Sequence, residues 1–95
     1  PPLSPAVAVL GDDLLLARVV NLNHPQEAPR SVVFRVDPDG GGARRLFTLP
    51  GAVIDLAVQG QLVAAASNPR APDLGAVVVH DLAAGRDLVR LEALD

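Results

Sequence analysis

Few residues in this chain are able to do chemistry, and their spacing limits what that chemistry can be. The imidazoles are His24 and His80, the serines are Ser4, Ser31 and Ser67, and there is no Cys, Lys, Tyr, Trp or Met. A nucleophilic triad needs Ser, His and a carboxylate brought together, and none of the serines stands in a Gly-X-Ser-X-Gly elbow. His24 has Glu27 nearby in a loop, and two such ligands without a third do not make a zinc site. His80 ends an apolar run just before Asp81, the setting of a packed or hydrogen-bonded structural residue. Asp37-X-Asp39-Gly40 has the opening of a calcium loop, but Gly41 and Thr48 stand where further acidic ligands are required. A tight turn accounts for the same residues without metal. Gly40-Gly41-Gly42 is followed by neither Lys-Ser/Thr nor a helix, so it is no phosphate loop. The expectation is a chain without catalytic, metal or cofactor residues, hence not an enzyme by itself.

The elements that carry these residues read as short strands. Val32, Val33, Phe34 and Val36 form a β-branched and aromatic run that Asp37–Gly42 must end, since Pro38 lacks an amide donor and glycine favours positive φ. Arg44–Leu49 then resumes an extended pattern, giving a hairpin over Ser31–Leu49. Arg44 and Arg45 point to opposite faces of that strand. Either can reach Asp37 or Asp39 across the hairpin, a pair worth on the order of 0–1 kcal/mol at an exposed site, but plain surface charge is the default reading.

Before the hairpin, Ala6–Leu10 and Leu14–Val20 flank a turn at Gly11-Asp12-Asp13. A helix over Asp12–Leu22, capped by Asp, is the local competitor, because strand and helix are hard to separate over short apolar runs. Asn21–Arg30 is a polar, proline-bearing loop. After Pro50-Gly51 the series repeats, with strands over Ala52–Val58 and Leu62–Ser67, a second proline loop over Asn68–Leu74, and a hairpin from Gly75–Asp81 to Asp87–Leu91. Leu14 aligns with Leu62, an offset of 48 residues (62 − 14), and Asp37 with Asp81, an offset of 44 (81 − 37).

Four short strands recurring every ~40–50 residues are the sequence sign of a propeller blade. The strands are mostly continuous apolar runs (VAVL, LLLA, VVF, AVVV), as expected of sheets covered on both faces. The fold class is therefore all-β: two four-stranded antiparallel propeller blades, part of a larger propeller or of an assembly. One module spans 1–95, with blade 1 at about 6–49 and blade 2 at about 52–95. A small β-sandwich is the alternative, since eight short strands also suit that class. Its strands should alternate apolar-in and polar-out, and most of these do not.

VVFRVDPDGGGARRLFTL resembles the outer half of a TolB-type propeller repeat, in which a strand ends at an Asp-X-Asp-Gly turn and an Arg-Arg-Leu strand follows. AVVVHDLAAGRDLVRL is similar to the corresponding half of WD-type and quinoprotein-type repeats. The chain departs from these families in lacking a Gly-His or Trp-Asp pair, a Ser-Pro-Asp-Gly turn and a tryptophan dock. The resemblance implies a propeller segment that presents loops on one face. Those loops supply the candidate binding residues Asn21, Asn23, His24 and Arg30 from the first and Asn68, Arg70 and Asp73 from the second, where arginines with amides suit a carboxylate or a polar protein surface.

Composition bounds the partners. The apolar 49% is largely Ala, Val and Leu, with Phe34 and Phe47 as the only aromatics, and the net charge is −3. No single-sign block marks a nucleic-acid or anionic-membrane surface, and no run is long enough to span a bilayer. Without Cys there are no disulfides, and the compartment stays open between exported and cytoplasmic. No basic start with an apolar core marks a signal peptide, and the opening Pro1-Pro2 without Met suggests a processed or excerpted product. Two blades alone leave apolar faces and unpaired strand edges, so the expected partners are other protein chains or further blades of the same propeller. The expected function is a non-catalytic protein-interaction scaffold. Alternatives are a propeller domain of a larger enzyme, such as the gating domain of a prolyl-oligopeptidase-like peptidase, with catalytic residues outside this chain, and a sugar-binding ring of two-blade subunits. The lack of Trp and Tyr argues against the last.

Overall fold

Left-handed glycines set the plan of the chain. Gly11 and Gly60 have φ of 58° and 59° and open two-residue turns, each joining the first two strands of a sheet. A side chain at such a φ is strained. The turns therefore fix where each strand stops and how the next pairs with it. The computed structural model describes residues 6–20, 30–67 and 75–94. Its strands are β1 (Ala6–Leu10), β2 (Asp13–Val20), β3 (Arg30–Asp37), β4 (Gly42–Pro50), β5 (Val53–Gln59), β6 (Leu62–Ser67), β7 (Gly75–Asp81) and β8 (Arg86–Leu94). They form two four-stranded antiparallel meanders, β1-β2-β3-β4 and β5-β6-β7-β8. The expected all-β fold with two four-stranded sheets is present, and Asp13–Val20 is strand rather than helix. The β-branched and apolar content of these runs favours that outcome once neighbours cover them.

The outer hairpins repeat as well. In the first, Asp37 Oδ1 accepts from the Asp39 amide at 2.9 Å and the Asp37 carbonyl from the Gly40 amide at 3.1 Å. In the second, Asp81 Oδ1 accepts from Ala83 and Ala84 amides at 2.9 and 3.1 Å, and its carbonyl from Gly85 at 2.8 Å. An aspartate that caps its own turn thus closes both hairpins. Among the described residues, Arg44 and Arg45 pair with neither Asp37 nor Asp39 and stand exposed, as surface charge. Asp37 is committed to the turn amide instead.

Register corrects one alignment. Leu10 pairs with Asp13 and Gln59 with Leu62, while Leu14 pairs with Val36 and Val63 with His80. Leu14 therefore corresponds to Val63, an offset of 49 (63 − 14), not to Leu62. One residue matters, because a shift of one moves every side chain to the other face of a strand. On the correct register the face of the first sheet carrying Ala6, Ala8, Leu15, Ala17, Val33 and Phe47, here called the front, corresponds to Asp55, Ala57, Ala64, Ala66, Val77 and Leu91 in the second. The first sheet buries its front: Leu15, Ala17, Val33, Phe47 and Leu49 are in the core. The second buries its back, through Val63, Ala65, Ala76, Val78 and His80. Val32, on the back of the first sheet, is buried as well.

The two sheets thus stack front to back, in the same sense, around one apolar cluster fed by both. Ser31 ties them together. Its buried hydroxyl donates to the Gly51 carbonyl at 2.7 Å and accepts from the Val53 amide at 3.0 Å, satisfying the backbone of the segment that crosses between the sheets. Left unpaired in the interior, those two groups would be costly.

Candidate functional site

The polar residues that the fold does gather lie along the seam between the sheets. His80 near the end of β7 faces Asp87 directly across the β7–β8 ladder. His80 is 4% exposed, and its Nδ1 lies 2.8 Å from Asp87 Oδ1. Arg90 Nη1 donates to the other carboxylate oxygen, Oδ2, at 3.0 Å, and Arg90 Nε donates to Glu92 Oε2 at 2.8 Å. From the opposite sheet the Phe47 ring stacks on the His80 ring, with centroids 4.8 Å apart and planes 22° from parallel. An open cleft of about 370 Å³ runs past these groups, lined also by Thr48, Gly85 and Arg86. His80 is thus packed and hydrogen-bonded, in keeping with its place at the end of an apolar strand.

The polar groups of the seam hold one another in place. Both Asp87 oxygens are engaged, and the Arg90 guanidinium is divided between two carboxylates. The Ser31 and Ser67 hydroxyls are buried on backbone partners, Ser67 Oγ accepting from the Ala76 amide at 2.8 Å. Neither stands in the cleft as a nucleophile. Among the described residues, no group of three or more His, Asp or Glu side chains is placed to hold a metal ion. A second shallow cleft, of about 340 Å³, lies on the first sheet by the Arg35–Asp13 pair, whose Nε–Oδ2 distance is 2.7 Å. No helix of the described residues is long and apolar enough to cross a membrane.

Of the expected binding residues, Arg30 falls within the described residues. It is exposed at the start of β3, and its Nη2 donates to Thr48 Oγ1 at 2.9 Å, beside the seam cleft. Asn21, Asn23, His24, Asn68, Arg70 and Asp73 lie outside the described residues. The cluster of Phe47, Asp87 and Arg90 was not anticipated from sequence. For Asp87 a signal existed: a four-residue turn over Leu82–Gly85 pairs Asp81 with Arg86 and so sets His80 against Asp87. Phe47 gave none, because it reaches His80 from the other sheet.

Compared with protein-family models, curated proteins and solved structures, the chain matches none. The geometry alone carries the functional reading.

Proposed function

We propose that this chain is a pair of β-propeller blades that serves as a non-catalytic scaffold for protein interaction. The observation that carries the reading is the front-to-back stack of two sheets with matching inner turns, the same strand order and opposite buried faces. Stacking in one sense is how blades follow one another around a propeller. In a sandwich of two equivalent sheets, like faces would meet instead. The seam groups support a rigid scaffold: Phe47 packs on His80, and His80, Asp87, Arg90 and Glu92 are joined by hydrogen bonds. Rigid sheets leave recognition to the segments between strands, here 21–29 and 68–74, with Asn21, Asn23, His24, Arg30, Asn68, Arg70 and Asp73 as the residues that would meet a partner.

Photo-crosslinking amino acids at positions 24 and 70, compared with positions 39 and 84 on the opposite hairpins, test this in cells producing the protein. Discrete protein adducts are expected from 24 and 70 and not from 39 and 84. Adducts confined to the hairpin positions, or none from any, would overturn the loop assignment.

A further inference from the structure

The first sheet's back and the second sheet's front are both open and largely apolar; register adds Arg18, Arg30 and Arg45 to the first and Asp55 to the second. On the first, Val7 and Val9 are 55% and 68% exposed. Register places them where the second sheet has Leu56 and Val58, which pack against the shared core. On the second, Val89 and Leu91 are 42% and 51% exposed, and Leu91 holds the place of the buried Phe47. Each open face therefore carries apolar residues at the positions its counterpart uses to pack inside the chain.

The outer corners match in the same way. The two faces already in contact are polar there, with Arg35 and Arg44 on one and His80 and Asp87 on the other. The corresponding corners of the two open faces are apolar, Val79 and Val89 on one and Val36 and Ala43 on the other. An apolar corner suits an apolar corner, since burying either against water-seeking groups would strand those groups without partners. The two open faces are thus complementary to each other in both position and character.

We infer that the occupant of each open face is a second copy of this chain, docked head to tail: the back of its first sheet on the front of the second sheet of its neighbour. This rests on the blade reading above and extends it to assembly. The contact is heterologous, so copies add until the rotation closes. With roughly four to eight blades in closed propellers, closure falls at about two to four chains. The contact inside one chain supplies the template.

Size-exclusion chromatography with light scattering on three proteins tests the inference: wild type, a front variant (Val89→Asp, Leu91→Asp) and a back variant (Val7→Asp, Val9→Asp). The substituted residues are exposed and lie on edge strands, and circular dichroism checks that both variants keep their β signal. Wild type is expected as a closed oligomer and each variant as a monomer. Mixed together, the variants keep one intact front and one intact back, so a one-to-one dimer is expected and nothing larger. A wild-type monomer at tens of micromolar, a chain that folds only when joined to further sequence, or variants that still assemble alone would each overturn the proposal. The blade reading fails separately. It predicts a nuclear Overhauser contact between the Phe47 and His80 rings in the monomeric variants, and loss of that contact in a folded monomer would count against the stack itself.

Discussion

Leu15 in the first sheet and Val63 in the second are both fully buried, yet they are not equivalent residues. The counterpart of Leu15 is Ala64, on the open face, and the counterpart of Val63 is Leu14, half-buried on the other open face. Two sheets with the same inner turn and the same strand order thus use opposite faces for the same task. On the proposed assembly both faces of each sheet are covered, although within the chain each sheet buries mainly one. This explains the continuous apolar runs, such as Leu14-Leu15-Leu16 and Ala76-Val77-Val78-Val79, where a sheet with one wet face would alternate. It also explains why the exposed valines collect on named faces rather than scattering.

The sharpest way to break this comparison is to alter residues that differ by one position and so lie on opposite faces. Leu15→Ala should cost roughly 2–5 kcal/mol, because the core around it closes only in part over the lost volume. In β6, Ala65→Leu should cost about 1–3 kcal/mol by overpacking a filled site, while Ala64→Leu should stay within about 0.5 kcal/mol. Urea unfolding of these three variants in the Val7→Asp, Val9→Asp background, where assembly is removed, provides the measurement. Equal penalties at positions 64 and 65 would mean that the second sheet is covered on both faces inside one chain, and the front-to-back stack would be lost.

A smaller effect tests how the sheets are joined. Ser31→Ala removes the hydroxyl that serves the Gly51 carbonyl and the Val53 amide, and should cost roughly 1–3 kcal/mol. The corresponding residue of the second sheet is Gly75, which has no hydroxyl to offer a following segment. The asymmetry is local to the crossing between sheets. Destabilisation of under about 0.5 kcal/mol in equilibrium unfolding would show that water replaces the serine there, and that the crossing is not buried as described.

How much of this was legible in the sequence depends on range. The strands, both hairpins and the repeat follow from local signals: glycine at the turns, Asp37 and Asp81 before the outer turns, and β-branched runs between. The one-residue error in aligning Leu14 with Leu62 had a physical source. Leucines at both places invite alignment by type, whereas the ladder is set by Gly11 and Gly60. That single step concealed the opposite burial, since period-two structure inverts with it. The His80–Asp87 pair was recoverable from turn length, but Phe47 against His80 and Ser31 against Val53 join different sheets. No local pattern encodes them. The candidate loops gave up the least, with Arg30 alone among the described residues.

The inner turns give a strict check on the repeat. Gly11 and Gly60 share φ within a degree, and a Cβ added at either meets no atom within 4 Å. Substitution by Ala therefore introduces backbone strain without a clash, and the cost should be about 1–2 kcal/mol at each site. Among the described residues, only the second turn is tied from outside: the Gln61 carbonyl accepts from the Leu82 amide at 2.8 Å, where the first sheet has Pro38 and no amide to donate. The penalty should therefore be larger at Gly60 by up to about 1 kcal/mol, and the two should add in the double variant within about 0.3–0.5 kcal/mol. Equal penalties would show that the Leu82–Gln61 hydrogen bond yields without cost when the turn shifts. Non-additivity would couple them through the shared core, and the chain would then behave as one sandwich rather than as two copies of a stacked unit.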